Sequence, residues 1–120
     1  ELLMISRALF ERAEEVARFL AVLGNGKRLA ILCLLVNGEM SVGTIAEKVQ
    51  LSQSALSQHL AKLRGEQLVA TRRVRQTIFY SCRSEEVREA LATLDELFGD
   101  RRADRLDRDR SAGESPSSLS

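Results

Sequence analysis

The stretch LSQSALSQHLAKLR, residues 51–64, decides the fold. At helical spacing it puts Leu56, Leu60 and Leu63 on one face, while Ser54, Ser57, Gln58 and Ala61 fall on the opposite side. An ordinary solvated helix face is built from Glu and Lys pairs, which favour the helix and stay hydrated. Here that side carries short, neutral hydrogen-bonding groups instead.

Just upstream, Ser52 is a candidate N-cap, and only Gln50 and Leu51 separate it from a short helix with Val42, Ile45, Ala46 and Val49 on one face, itself capped by Ser41. Two short amphipathic helices joined by a tight turn predict a helix-turn-helix. Downstream, Gly65 is expected to end the second helix. Residues 68–71 and 77–81, rich in Val, Thr, Ile, Phe and Tyr, then read as two strands around the basic tip Arg72-Arg73-Val74-Arg75-Gln76. A two-stranded hairpin is marginal alone, so it should lean on the helices while its tip projects.

Farther out, Leu9, Ala13, Val16, Leu20 and Leu23 mark a first helix over residues 9–23, broken by Gly24-Asn25-Gly26. Residues 27–36 are apolar almost all round, with Leu29, Leu32, Cys33 and Val36 on one face and Ile31, Leu34 and Leu35 covering the rest. Such a helix belongs in the centre of a core, where Cys33 would be a small buried hydrophobe. Ser84 should cap a last helix carrying Val87, Ala90, Leu91, Leu94, Leu97 and Phe98. The expected fold is mainly α with a small β-hairpin wing: a winged helix-turn-helix of four helices, a hairpin and a fifth helix, in one domain over residues 1–99. Residues 100–120 alternate Arg and Asp and end in SAGESPSSLS. With too little apolar surface to offset ordering entropy, this charged, Ser-rich tail is expected to be disordered.

A chain of 120 residues suits one domain. Its longest apolar run, LAILCLLV at residues 29–36, falls far short of the roughly 20 residues that span a bilayer, and no targeting segment is visible. Two cysteines without paired spacing and a single histidine, His59, give no basis for a disulfide scaffold, a transition-metal site or a cofactor. A cytoplasmic protein without contact to a membrane is expected. The net charge of +1 hides a split: −1 over residues 1–26, +6 over residues 27–83 and −4 over residues 84–120. Only the middle segment has a field that attracts a polyanion.

These features converge on duplex DNA. The N-terminal half of a recognition helix meets base edges in the major groove; Gln pairs with adenine through its amide, Ser bonds either kind of edge, and a small Ala leaves room for a thymine methyl. Gln53, Ser54, Ser57 and Gln58 are the base-reading candidates. Ser52, His59, Lys62, Arg64, Arg72, Arg73 and Arg75 are candidates for backbone contacts, which position without reading sequence, and Arg75 at the tip is the one most apt to enter a minor groove. Taken alone, the helix fits a merely solvated face equally well, and each cation fits an idle surface charge equally well; the basic hairpin and the turn spacing favour DNA. The terminal helices hold more apolar surface than a small monomer needs, at Phe10, Val16, Phe19, Leu91, Leu94 and Phe98. A two-fold homodimer through these helices would present recognition helices to successive major grooves and predicts a palindromic operator; the alternative is that both helices merely close the monomer core. No nucleophile–base pair, paired catalytic carboxylates or phosphate-cradling loop can be assembled, so no enzyme is expected.

LSQSALSQHLAKLRGEQLV at residues 51–69, followed by TRRVRQTIFYS at residues 71–81, resembles the signature region of the ArsR/SmtB transcriptional repressors, and the likeness extends over roughly residues 10–98. The resemblance implies a homodimeric winged helix, joined through its first and last helices, that represses promoters by occupying palindromic DNA. Metal-sensing members carry a Cys-x-Cys pair at the start of the helix-turn-helix, or Asp and His ligands in the last helix. Here CLLVNGEMSVG at residues 33–43 has only Cys33, and no His lies in the last helix. Persulfide-responsive members resemble this chain around Cys33, but their partner cysteine aligns with Gly99. The resemblance thus points to a metal-independent repressor with no obvious small-molecule ligand. A thiol-responsive repressor using Cys33, paired with Cys82, and a winged-helix protein-interaction module remain as alternatives.

Overall fold

The computed structural model describes residues 4–113 and divides into two compact units, one up to Ser84 and one from Glu85 onward. The first unit contains α1 (Arg7–Glu11), α2 (Ala13–Leu23), α3 (Gly26–Val36), β1 (Met40–Ser41), α4 (Val42–Val49), α5 (Gln53–Gly65), β2 (Val69–Val74) and β3 (Thr77–Cys82). The expected single first helix is in fact two, because Arg12 leaves helical geometry at φ −101° and ψ 20°. Ser6 caps α1 by accepting the Leu9 N–H at 3.1 Å, and Asn25 caps α3 by accepting the Arg28 N–H at 3.0 Å.

The core of this unit is built around α3, as its apolar run predicts. Ile31, Leu32 and Leu35 are buried, joined by Ile45 and Val49 of α4, Leu56, Leu60 and Leu63 of α5, and Val69 of β2. Each such side chain contributes about 1.5–3 kcal/mol when fully removed from water. Cys33 departs from expectation: it is exposed. Two helical steps place Cys33 about 160° around the axis from both Ile31 and Leu35, which define the buried side. An all-round apolar helix has too weak a directional bias for sequence alone to choose its inner face.

The sheet has three antiparallel strands in the order β1-β3-β2. The short β1 was not anticipated; Met40 pairs with Tyr80 and Ser41 with Phe79. The β2–β3 ladder runs from Val69↔Cys82 out to Arg73↔Ile78 and Val74↔Thr77, so part of the expected basic loop is strand and only Arg75 and Gln76 connect the two.

The second unit contains α6 (Glu85–Phe98), with Val87 and Leu91 buried, and α7 (Asp100–Gly113). The expectation of disorder from residue 100 is corrected by α7, whose backbone is helical through Gly113; residues 114–120 lie outside the described residues. The composition that lacks a core still favours a helix. Arg, Leu and Ala are good helix formers, Asp107 and Arg110 pair at 3.8 Å across one turn, and Asp100 and Arg110 complement the helix dipole at its two ends.

Candidate nucleic-acid interface

The helix-turn-helix is held by local bonds that the sequence foreshadows. Ser41 Oγ accepts the Thr44 N–H at 3.2 Å and starts α4. Gln50 then adopts left-handed backbone, φ 58° and ψ 53°, and the Leu51 N–H returns to the Ala46 carbonyl at 3.1 Å, closing α4. Ser52 Oγ accepts the Ala55 N–H at 3.2 Å and starts α5. At its far end α5 repeats the device. The Leu68 N–H reaches the Leu63 carbonyl at 3.0 Å while Gln67 sits at φ 61°, so Gln67 turns the chain and Gly65 is merely the last helical residue.

With Leu56, Leu60 and Leu63 buried, the rotation of α5 is fixed, and Gln53, Ser54, Ser57, Gln58, Ala61, Lys62 and Arg64 are all exposed. His59 is half-buried, at the border of the two faces. The Ser52 hydroxyl, exposed but already engaged as the cap, lies 3.4 Å from that of Ser54. No acidic side chain occupies the first turn of α5, whereas Glu14 and Glu15 stand in the first turn of α2 and Glu85 and Glu86 in that of α6. The positive end of the α5 dipole therefore has no first-turn acid to offset it, as is also true of α1, α3 and α4. Beside α5 runs an open groove of about 390 Å³ lined by Ser57, Ala61, Arg64, Gly65 and Tyr80.

The basic residues divide by what they touch. Lys27 Nζ donates to the Val49 carbonyl at 2.7 Å, and Arg28 Nε donates to the Val22 carbonyl at 2.8 Å, so both serve helix ends. In the wing, strand alternation puts Arg73 on the same face as Tyr80, the face that borders α5, and puts Arg72 on the reverse. There Arg72 is held by Glu39 through two bonds, Nε to Oε2 at 2.7 Å and Nη2 to Oε1 at 2.8 Å. The hydrogen bonds from Arg72 hold the Glu39 carboxyl below the ordinary carboxylate range, and the same bonds raise the Arg72 pKa. Arg75 sits at the tip with φ 59°, exposed. Sequence reasoning thus named Arg72 and Arg73 as equivalents, which they are not, and it missed Lys27, Arg28 and Glu39 altogether.

Among the dimer candidates, Phe10 and Phe98 are 78% and 79% exposed, Val16, Phe19 and Leu94 are half-buried, and Leu91 is buried within the single chain. Cys82 is buried, its thiol 3.5 Å from the Ser84 carbonyl that accepts from it. Among the described residues no group of three or more His, Cys, Asp or Glu is placed to hold a metal, and no single helix is long and apolar enough to cross a membrane.

A sequence model described as "Bacterial regulatory protein, arsR family" matches residues 25–71, from the cap of α3 into β2. The nodulation protein NolR of Rhizobium meliloti is 56% identical over 90 residues, 75% of this chain and 74% of that protein. The chain belongs to the ArsR family. Its fold matches solved ArsR-type structures: NolR from Sinorhizobium fredii has a TM-score of 0.71 at 52% identity, covering 82% of this chain and 98% of that one. A homodimeric winged helix-turn-helix DNA-binding domain from Mycobacterium bovis, described as a possible ArsR-family transcriptional regulator, has a TM-score of 0.64 at 30% identity, covering 80% and 89%. The protein is therefore an ArsR-family transcriptional regulator with a winged-helix DNA-binding domain, not an enzyme.

Proposed function

We propose that this regulator is a repressor that binds palindromic duplex operators as a homodimer, with α5 of each copy in successive major grooves. The observation that carries the reading is the neutral, exposed face of Gln53, Ser54, Ser57 and Gln58 on a helix whose rotation is fixed by three buried leucines. Lys62, Arg64, Arg73 and Arg75, with Ser52 and His59, supply the backbone contacts on this reading. Dimerisation is supported by exposed apolar side chains: Met4, Ile5, Leu9, Phe10 and Leu20 in the first unit, Leu97 and Phe98 in the second. The similar Mycobacterium bovis domain is homodimeric. The reading requires no metal, cofactor or small-molecule ligand, and its place of action is the cytoplasm, where the DNA is.

Selection of bound duplexes from a random pool tests groove reading and dimer symmetry together, and a palindrome is the expected result. Against that operator, Gln53→Ala and Ser57→Ala should each flatten preference at one base pair by about 1–3 kcal/mol. Arg73→Ala should weaken all sequences alike and reduce the salt slope by about one. Operator preference unchanged after replacing all four base-reading candidates removes the assignment, and a chain that stays monomeric at micromolar concentration removes the dimer.

Exposure of Cys33 favours a second reading, in which the repressor also responds to thiol oxidation. A mass increase after persulfide or peroxide treatment, with operator affinity lost, is its expected signature; an unchanged mass rules it out.

A further inference from the structure

We propose that Glu39 is a positioning residue for DNA binding: with Arg72 it forms a latch that fixes the angle at which the wing tip projects. The inference rests on the DNA-binding reading above and reassigns Arg72 from phosphate contact to support.

The latch lies where the sheet changes character. Ser41 of β1 and Arg72 of β2 both flank Phe79 on the central strand, and this is the last rung that three strands share. Beyond it the pairs Arg73↔Ile78 and Val74↔Thr77 have no third strand, and a bare two-stranded ribbon is weakly held. Arg72 bridges this rung from the outside. Its guanidinium passes 5.3 Å over the Phe79 ring, a cation–π distance, and ends on the Glu39 carboxylate in a bidentate pair. Glu39 directly precedes β1, whose Ser41 caps α4, so the bond ties the base of the wing to the start of the helix-turn-helix. Arg73 and Arg75, the cations at the free tip, inherit their position from it.

Chemistry explains why an acid is tolerated here. Glu39 is one of three acidic residues among nine basic ones between residues 27 and 83, and a carboxylate near a DNA surface repels phosphate unless a cation neutralises it. A bidentate arginine neutralises it without a lysine's freedom of direction.

The test is a cycle of full-length wild type, E39Q, R72Q and the double variant, titrated with the selected operator over a range of salt. The latch predicts that each single variant loses about two- to fivefold in affinity, the size expected of an exposed ion pair, and that the double variant is no worse than either single one. The salt slope stays at the wild-type value in all four. Hydrogen exchange should quicken at Arg72, Val74 and Thr77, whose amides lie in the hydrogen-bonded rungs of the β2–β3 ladder, in E39Q while the melting temperature is unmoved. A slope reduced by about one in R72Q, with E39Q binding as tightly as wild type or tighter, makes Arg72 a phosphate contact and overturns the latch. Additive losses overturn it as well. If the wild-type chain selects no duplex, the DNA-binding reading fails, and the exchange measurement alone then decides whether the pair holds the wing.

Discussion

Helices α5 and α7 are nearly equal in length, 13 and 14 residues, and both are polar over most of their surface, yet they use that polarity in opposite ways. In α7 acid stands at the start and base at the end, and Asp107 pairs with Arg110; its Leu106 is 43% exposed. In α5 three leucines are sunk into the core, and the outer face keeps amides, hydroxyls and an unneutralised N-terminus. One helix is complete in water; the other is held rigid with its hydrogen-bonding groups unspent. A count of arginines alone would favour α7, but its four aspartates cancel most of them, whereas α5 carries Lys62 and Arg64 with no acid; net charge and placement both argue for α5.

The largest test of this contrast is a matched pair of truncations. Leu60→Ala should cost about 2–5 kcal/mol in urea denaturation, because it opens a cavity under α5. Leu106→Ala should stay within about 0.5 kcal/mol, as exposed substitutions do. Equal costs would mean that α7 is packed as firmly as α5 and that the comparison is mistaken.

A second measurement probes how the N-terminus of α5 is held. Ser52→Ala removes the cap on the Ala55 N–H and should cost about 1 kcal/mol of stability. It should also loosen Gln53 and Ser54, so operator affinity should fall without a change in salt slope. Operator affinity left at the wild-type value would mean that Ser52 neither positions Gln53 and Ser54 nor touches the DNA backbone.

What the sequence revealed and what it concealed follow from the range of the interactions. The leucine stripe of α5 and the caps at Ser41 and Ser52 are three- and four-residue relations, so they are written in any short window of sequence. Strand β1 has no pattern of its own and exists because Tyr80 and Phe79 come alongside Met40 and Ser41. The Glu39–Arg72 pair joins residues 33 apart, and no local rule links them. Cys33 was misplaced because a helix apolar on every side does not announce its inner face, and α7 because the absence of a core does not preclude a helix supported by arginines, an i,i+3 ion pair and end charges that suit the dipole. Arg72 and Arg73 separated only once strand register gave each a side of the sheet.

The smallest expected effect concerns the turns that frame α5. Gln50 and Gln67 both occupy left-handed backbone, where sequence reasoning looks for glycine. A Cβ in that conformation crowds the neighbouring carbonyl at a cost of about 1–2 kcal/mol, partly offset because glycine has more freedom to lose on folding. Gln50→Gly and Gln67→Gly should therefore each raise stability by about 0.5–1 kcal/mol at an unchanged denaturant slope. The two need not behave alike toward DNA. Gln50 lies in the tight turn that sets the angle between α4 and α5, and a glycine there relaxes that angle even as it relieves strain. A gain in stability with operator affinity retained would make the glutamine a tolerated imperfection of the scaffold. A gain in stability with affinity lost would show that the turn is kept stiff for the sake of how α5 meets the groove.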